Sequence, residues 1–169
     1  MDLLRVVAGA VLSARGVLLV SKRIAPAVYL PGGKPEPGED ARACLARELD
    51  EELGVGVVAA EPLLDVRATA ALKGTEMEMS VFLTTVRGTP AARAEISQLA
   101  WWPQHAGIEL APVVRDGVIP HLRATGHLPP DDGDPDAAFF AALASDGRVL
   151  STVNVRPAAP PRKPTAAGW

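Results

Sequence analysis

Residues Gly33 to Val55 read GKPEPGEDARACLARELDEELGV, and the last nine, Arg47-Glu48-Leu49-Asp50-Glu51-Glu52-Leu53-Gly54-Val55, set three glutamates at i, i+3 and i+4. In a helix, successive side chains are turned by about 100°, so these three carboxylates share one narrow arc. Like charges at that spacing oppose helix formation by roughly 0.2–0.5 kcal/mol per pair. A bound cation offsets that repulsion, and a set of oxygen-only ligands suits Mg²⁺ or Mn²⁺. Taken alone, Glu-Leu-Asp-Glu-Glu-Leu is most often a solvated charged stripe. The flanking residues change the reading. Val28-Tyr29-Leu30 reads as a short strand, and Leu30-Pro31-Gly32-Gly33-Lys34-Pro35-Glu36-Pro37-Gly38-Glu39 as a stiff loop of prolines and glycines. Glu39 or Asp40 can cap the helix at its start, and Gly54 can end it in a left-handed turn. Strand, loop, acidic helix and glycine stop make one unit. Leu45, Ala46, Leu49 and Leu53 are expected on the arc facing away from Arg47 and the glutamates.

Gly33, five residues, Glu39, seven residues, then Arg47 to Val55 resembles the Nudix box at every defining position. The resemblance implies a Mg²⁺-dependent hydrolase, with Mn²⁺ as a substitute, that cleaves a nucleoside diphosphate linked to another group. The run Leu30-Pro31-Gly32-Gly33-Lys34 is similar to the MutT-like branch of that family. The implied fold is α/β, an α/β/α sandwich around a mixed sheet, with the box as a loop-helix-loop on one edge. By resemblance, Glu51 and Glu52 are the main metal ligands, Glu48 is a ligand or the base, and Gly33 offers a backbone carbonyl to the metal. Arg47 and Glu39 are implied to form an ion pair that orients these carboxylates, against the alternative of an ordinary surface pair worth under ~1 kcal/mol. Members of the family draw the proton-abstracting group either from the box or from a loop past the sheet. Glu95 is the candidate outside the box, and it reads equally as a solvated loop carboxylate. Arg23 and Lys34 flank the loop and are candidates to hold substrate phosphates, or are plain exposed cations. Tyr29 belongs to the core or stacks on a base.

Composition agrees with a soluble globular protein: 169 residues, 48% hydrophobic and 22% charged. A net charge of −3 with no long basic run argues against a large nucleic-acid footprint. The single cysteine, Cys44, excludes an intramolecular disulfide, and with no His base near it in sequence it reads as a packing residue. His105, His121 and His127 lack the spacing of a metal site. The N-terminus, interrupted by Arg5 and Arg15, is unlike a signal peptide, and no apolar run is long enough to span a membrane, so the expected location is the cytoplasm. The expected partner is a small nucleotide, with a homodimer in keeping with the family.

Along the chain, Leu3–Leu12 and Val17–Val20 read as a hairpin around Ser13-Ala14-Arg15-Gly16. Val55–Arg67 and Glu76–Arg87 read as strands around a Lys73-Gly74 turn, the second alternating Glu76, Glu78, Ser80 with Met77, Met79, Val81. Leu99–Trp102 is a further strand that sends Trp101 and Trp102 to opposite faces. Ala111–Thr125 reads as a helix that Pro120 kinks or divides. The composition shifts after Leu128, so residues 1–128 form the expected domain and 129–169 a Pro/Asp-rich linker and tail. In that tail Ala137–Leu143 reads as a short helix and Val149–Val155 as a strand after an Asp146-Gly147 turn.

The expected reaction is hydrolysis of a nucleoside triphosphate to the monophosphate and pyrophosphate. ADP-ribose, another nucleotide sugar or a dinucleoside polyphosphate is the rival substrate class, and a non-catalytic nucleotide sensor is the rival outside the enzymes. MutT members that read oxidised guanine use an asparagine beyond the box. The sole asparagine here is Asn154, in the tail, so the loop alone does not argue for 8-oxo-dGTP.

Overall fold

β1 (Leu4–Ser13) and β2 (Gly16–Lys22) form the expected hairpin, with Leu12 opposite Val17. The computed structural model describes residues 3–23, 27–69, 76–105, 107–129 and 153–157. Val7–Val11 of β1 and Gly16–Val20 of β2 are buried throughout. Val7, Val11, Leu18 and Val20 enter one core layer, and Ala8, Ala10, Val17 and Leu19 the other. A strand that reads as continuous apolar sequence is thus buried on both faces.

The remaining elements follow as β3 (Val28–Tyr29), β4 (Gly32–Gly33), α1 (Ala41–Leu53), β5 (Gly56–Thr69), β6 (Glu76–Arg87), β7 (Ile96–Pro103), a π-helical turn (Val114–Val118), α2 (Ile119–Ala124) and β8 (Val153–Pro157). The strand order is β3-β2-β1-β6-β5-β8, with β4 against β1 and β7 against β2. β1 runs parallel to β6 and the other ladders are antiparallel, so the sheet is mixed, as expected. α1 closes one face and the π turn with α2 closes the other, giving the three layers. The helix lies across a face, over β1, β4 and β5, and not along an edge as the resemblance implied.

Pro120 divides the second helical region in two. Without an N–H it cannot continue an α-helical ladder. Ile119 N–H instead reaches back five residues to the Val114 carbonyl, and α2 restarts with Pro120 in its first turn. Trp101 and Trp102 are both half-buried in opposite layers, Trp102 beneath the Arg123 guanidinium at 4.8 Å. Of the tail, β8 pairs antiparallel with Leu64–Ala68 of β5, overlapping the expected strand. The Lys73-Gly74 and Asp146-Gly147 turns, the Ala137–Leu143 helix and residues 130–136 lie outside the described residues. Among the described residues no helix is long and apolar enough to cross a membrane.

Leu45 anchors α1 to the sheet, fully buried in one layer with Leu49, Leu53, Val7 and Phe82. Leu45→Ala is expected to cost about 2–5 kcal/mol of stability, since packing at the helix–sheet seam leaves little freedom to collapse into the void. Urea unfolding followed by circular dichroism measures it. A cost below ~1 kcal/mol would mean that α1 is held by its loop contacts instead.

Candidate active site

α1 opens where the Asp40 carboxylate turns back to accept the Ala43 N–H at 2.8 Å, and it closes at Gly54, whose φ of 67° is left-handed. Between these caps the inward stripe is Cys44, Leu45, Leu49, Glu52 and Leu53. Ala46, expected in that stripe, faces solvent. Glu52 joins it because it follows Leu45 by two full turns, and it is 1% exposed. The three glutamates therefore share a helix side but not an environment: the side chain of Glu48 is 12% exposed and that of Glu51 54%.

Burying Glu52 raises the question of what compensates its charge. The Gly32 N–H donates to its Oε2 at 3.2 Å, while its Oε1 is buried without a hydrogen-bond partner among the described residues. Burial pushes the Glu52 carboxyl up to about 7; Lys22 and the Gly32 N–H pull it down, and the nearby Glu48 and Glu95 charges push it up. One carboxylate oxygen from each of Glu48, Glu52 and Glu95 lies within 4.8 Å of the others. Three carboxylates at that range, one of them buried with an orphaned oxygen, suit a divalent cation bound through oxygen. Glu51 stands outside this trio.

Gly33 packs its bare Cα side against Glu48. A Cβ at Gly33 would run into the Glu48 carboxylate, so the bare position leaves that carboxylate its place. The Gly33 carbonyl accepts the Cys44 thiol at 3.7 Å. Burial, and next the negative charge of Glu39, push that thiol up to about 11, which keeps it protonated and in the packing role.

Arg47 ties the loop to the helix. It pairs with both oxygens of Glu39 at 2.8 and 2.9 Å, with Glu48 Oε1 at 2.9 Å and Glu51 Oε2 at 3.5 Å, and it donates to the Lys34 carbonyl at 3.1 Å. The bonds from Arg47, together with the Glu36 N–H, hold the Glu39 carboxyl at about 2. This is a forked guanidinium clamp and not an isolated surface pair. Lysine keeps the charge but cannot bridge Glu39 and Glu48 with a planar fork. Arg47→Lys is expected to lower turnover about tenfold with the fold retained. Steady-state kinetics beside circular dichroism would check it, and unchanged turnover would reduce the clamp to a surface ion pair.

Of the other sequence candidates, Glu95 reaches the trio from the loop before β7, and its carbonyl accepts the Arg23 N–H at 3.1 Å. Arg23 thus follows β2 beside that loop with an exposed side chain. Lys34 is exposed on the loop that Arg47 grips. Tyr29 is half-buried against the layer beneath α2. Sequence reading missed Lys22 and the Gly32 N–H. Lys22 is a cation at the end of an apolar strand, and that placement is the one signal in the sequence that could have marked it.

A family model described as NUDIX domain matches residues 3–122. A Mycobacterium tuberculosis protein named "Putative 8-oxo-dGTP diphosphatase 2" is 37% identical over 118 residues, 60% of this chain and 82% of that protein. The crystal structure of a MutT NUDIX hydrolase from Burkholderia pseudomallei shares the fold at a TM-score of 0.62 and 24% identity, over 68% of this chain and 95% of that one. The solution structure of the E. coli ORF135 protein matches at a TM-score of 0.59 and 29% identity, over 79% and 96%. Motif, layers and relatives agree, and this chain belongs to the Nudix family of hydrolases, which act on pyrophosphate bonds.

Proposed function

We propose that this chain hydrolyses a nucleoside triphosphate to the monophosphate and pyrophosphate, with Mg²⁺ as its cation and Mn²⁺ as a substitute. The observation that carries the reading is the buried Glu52 carboxylate, with an orphaned Oε1, clustered with the carboxylates of Glu48 and Glu95. Glu48, Glu52 and Glu95 would hold the cation, and Glu51, on the solvent side of the same helix, keeps the ligand role that the family resemblance gives it. When bound, the cation lowers the pKa of coordinated water and neutralises phosphate charge. The protein's own contributions are then separate. Glu48 and Glu95 are the groups beside Glu52 able to accept the proton of the attacking water. That water's oxygen bonds to phosphorus as the bridging P–O bond breaks, and pyrophosphate leaves. Arg47 fixes Glu48 through its fork. Arg23 and Lys34, exposed near the two loops, hold the phosphate chain, and Tyr29 lies beside the base. The activity is assigned to residues 1–128, in the cytoplasm.

The substrate class rests on the MutT-like run Leu30 to Lys34 and on the name of the mycobacterial relative. That name puts oxidised guanine triphosphate on the panel to be tried. Asn154, the sole asparagine, lies on β8 opposite Arg67 of β5. The test is phosphate release from canonical and oxidised triphosphates with Mg²⁺ and added pyrophosphatase. Chromatography scores ADP-ribose, nucleotide sugars and dinucleoside polyphosphates in parallel. Selective turnover of a triphosphate supports the proposal. Turnover confined to the other compounds would replace the substrate class, and silence throughout with tight nucleotide binding would point to a sensor.

A further inference from the structure

Glu95 is the one member of the trio that α1 does not carry, so something else must set its position. The chain between β6 and β7 supplies it. Ala91 N–H donates to the Leu53 carbonyl at 3.0 Å and Arg93 N–H to the Glu52 carbonyl at 2.9 Å. Both carbonyls lie in the last turn of α1, where helical partners run out. The Arg93 side chain follows its backbone: its guanidinium lies where a Cβ on Gly54 would be. Gly54 is therefore bare for two reasons, its left-handed φ of 67° and the cation packed over it. A positive group is well matched to a helix C-terminus.

Just past Arg93 the chain makes a tight turn. Ile96 N–H donates to the Arg93 carbonyl at 2.9 Å, and Ala94 takes a φ of 51°, a left-handed conformation rare for alanine. Glu95 is the third residue of that turn. Ile96, 2% exposed, anchors its far end in the α1-side core, and the Arg23 N–H holds the Glu95 carbonyl from β2. A turn pinned at both ends, with a strained residue between, delivers one side chain to one place.

We infer that Arg93 is a positioning residue: by packing its guanidinium over Gly54 at the end of α1, it fixes the Arg93–Ile96 turn so that Glu95 stands with Glu48 and Glu52. This rests on the reading of the trio as a cation site. Its consequence is specific. Loss of the guanidinium weakens cation binding through Glu95, and has nothing left to weaken once Glu95 is gone.

The experiment is a Mn²⁺ titration of the metal-free 169-residue chain, by calorimetry and by the electron paramagnetic resonance of free Mn²⁺. The variants are Arg93→Ala, Arg93→Lys, Glu95→Gln and the double variant Arg93→Ala/Glu95→Gln, each checked by circular dichroism. Arg93→Ala is expected to raise the Mn²⁺ dissociation constant about tenfold, Arg93→Lys to restore part of it, and the double variant to match Glu95→Gln. Should Arg93→Ala not fold, Arg93→Gln takes its place in the cycle. Parental Mn²⁺ affinity in Arg93→Ala, beside a loss in Glu95→Gln, would overturn the inference and leave the trio standing. An Arg93 effect of full size in the Glu95→Gln background would overturn it too, since Arg93 would then act by another route. Parental affinity in Glu95→Gln would overturn the trio itself.

Discussion

Glu52→Gln is expected to lower turnover by about 10²–10³-fold, the range for loss of one preorganised group that stabilises charge in a transition state, while the metal-free protein stays at least as stable as the parent. The two halves come from one observation. Glu52 is 1% exposed, its Oε1 has no hydrogen-bond partner among the described residues, and burial holds its carboxyl up at about 7. A charge so placed costs the metal-free fold free energy, and removing it relieves that cost. Glutamine has almost the same shape. Its amide oxygen can still accept the Gly32 N–H, and its NH₂ can face Glu48 and Glu95 as a donor. What it cannot do is supply the negative charge that offsets that of a divalent cation. The check is kcat/KM with Mg²⁺ for parent and variant, beside urea unfolding of both in a chelator. Parental turnover would remove Glu52 from the site. A large fall in stability with turnover retained would make it a structural carboxylate.

The helix and its caps were legible because their signals are local. Asp40 and Gly54 each act within one turn of themselves, and the alternation of Met77, Met79 and Val81 puts these three on one side of β6, in the layer that α2 covers. The division at Pro120 follows from a missing N–H. The site was legible in part, as a helix side rich in carboxylate. What separates Glu51 from Glu52 is the strand that approaches one of them. One residue is 100° of helix rotation, and here it separates a solvated carboxylate bound to Arg47 from one sealed under Gly32. No spacing within α1 contains that information, because β4 provides the seal from 20 residues away. The same limit applies to Lys22 and to the loop of Arg93, which reach the helix only once β2 and β7 pair. Glu95 could be named as a candidate by family resemblance, while its distance to Glu48 and Glu52 depends on a turn that contains an alanine in a conformation sequence rules disfavour.

Gly33→Ala isolates geometry from chemistry, and it is expected to cost about 10²-fold in turnover, the loss that a displacement of about 1 Å can cause. Every ligand stays in the chain, and one methyl group is added. Gly33 has no left-handed φ, so alanine carries no backbone penalty there. The new Cβ would meet the Glu48 carboxylate, which is the free end of a flexible side chain and can rotate away. Stability should therefore change little. Rotation, however, takes Glu48 off Arg47 Nη1, now 2.9 Å from its Oε1, and out of the group it forms with Glu52 and Glu95. A Glu48→Gln background separates this from any other effect of the methyl group. If Gly33→Ala acts by moving Glu48, the double variant is no slower than Glu48→Gln alone. A further hundredfold loss in that background would show that Gly33 matters for its own carbonyl, and parental turnover in Gly33→Ala would show that the reaction does not need the Glu48 carboxylate in the place where the fold holds it.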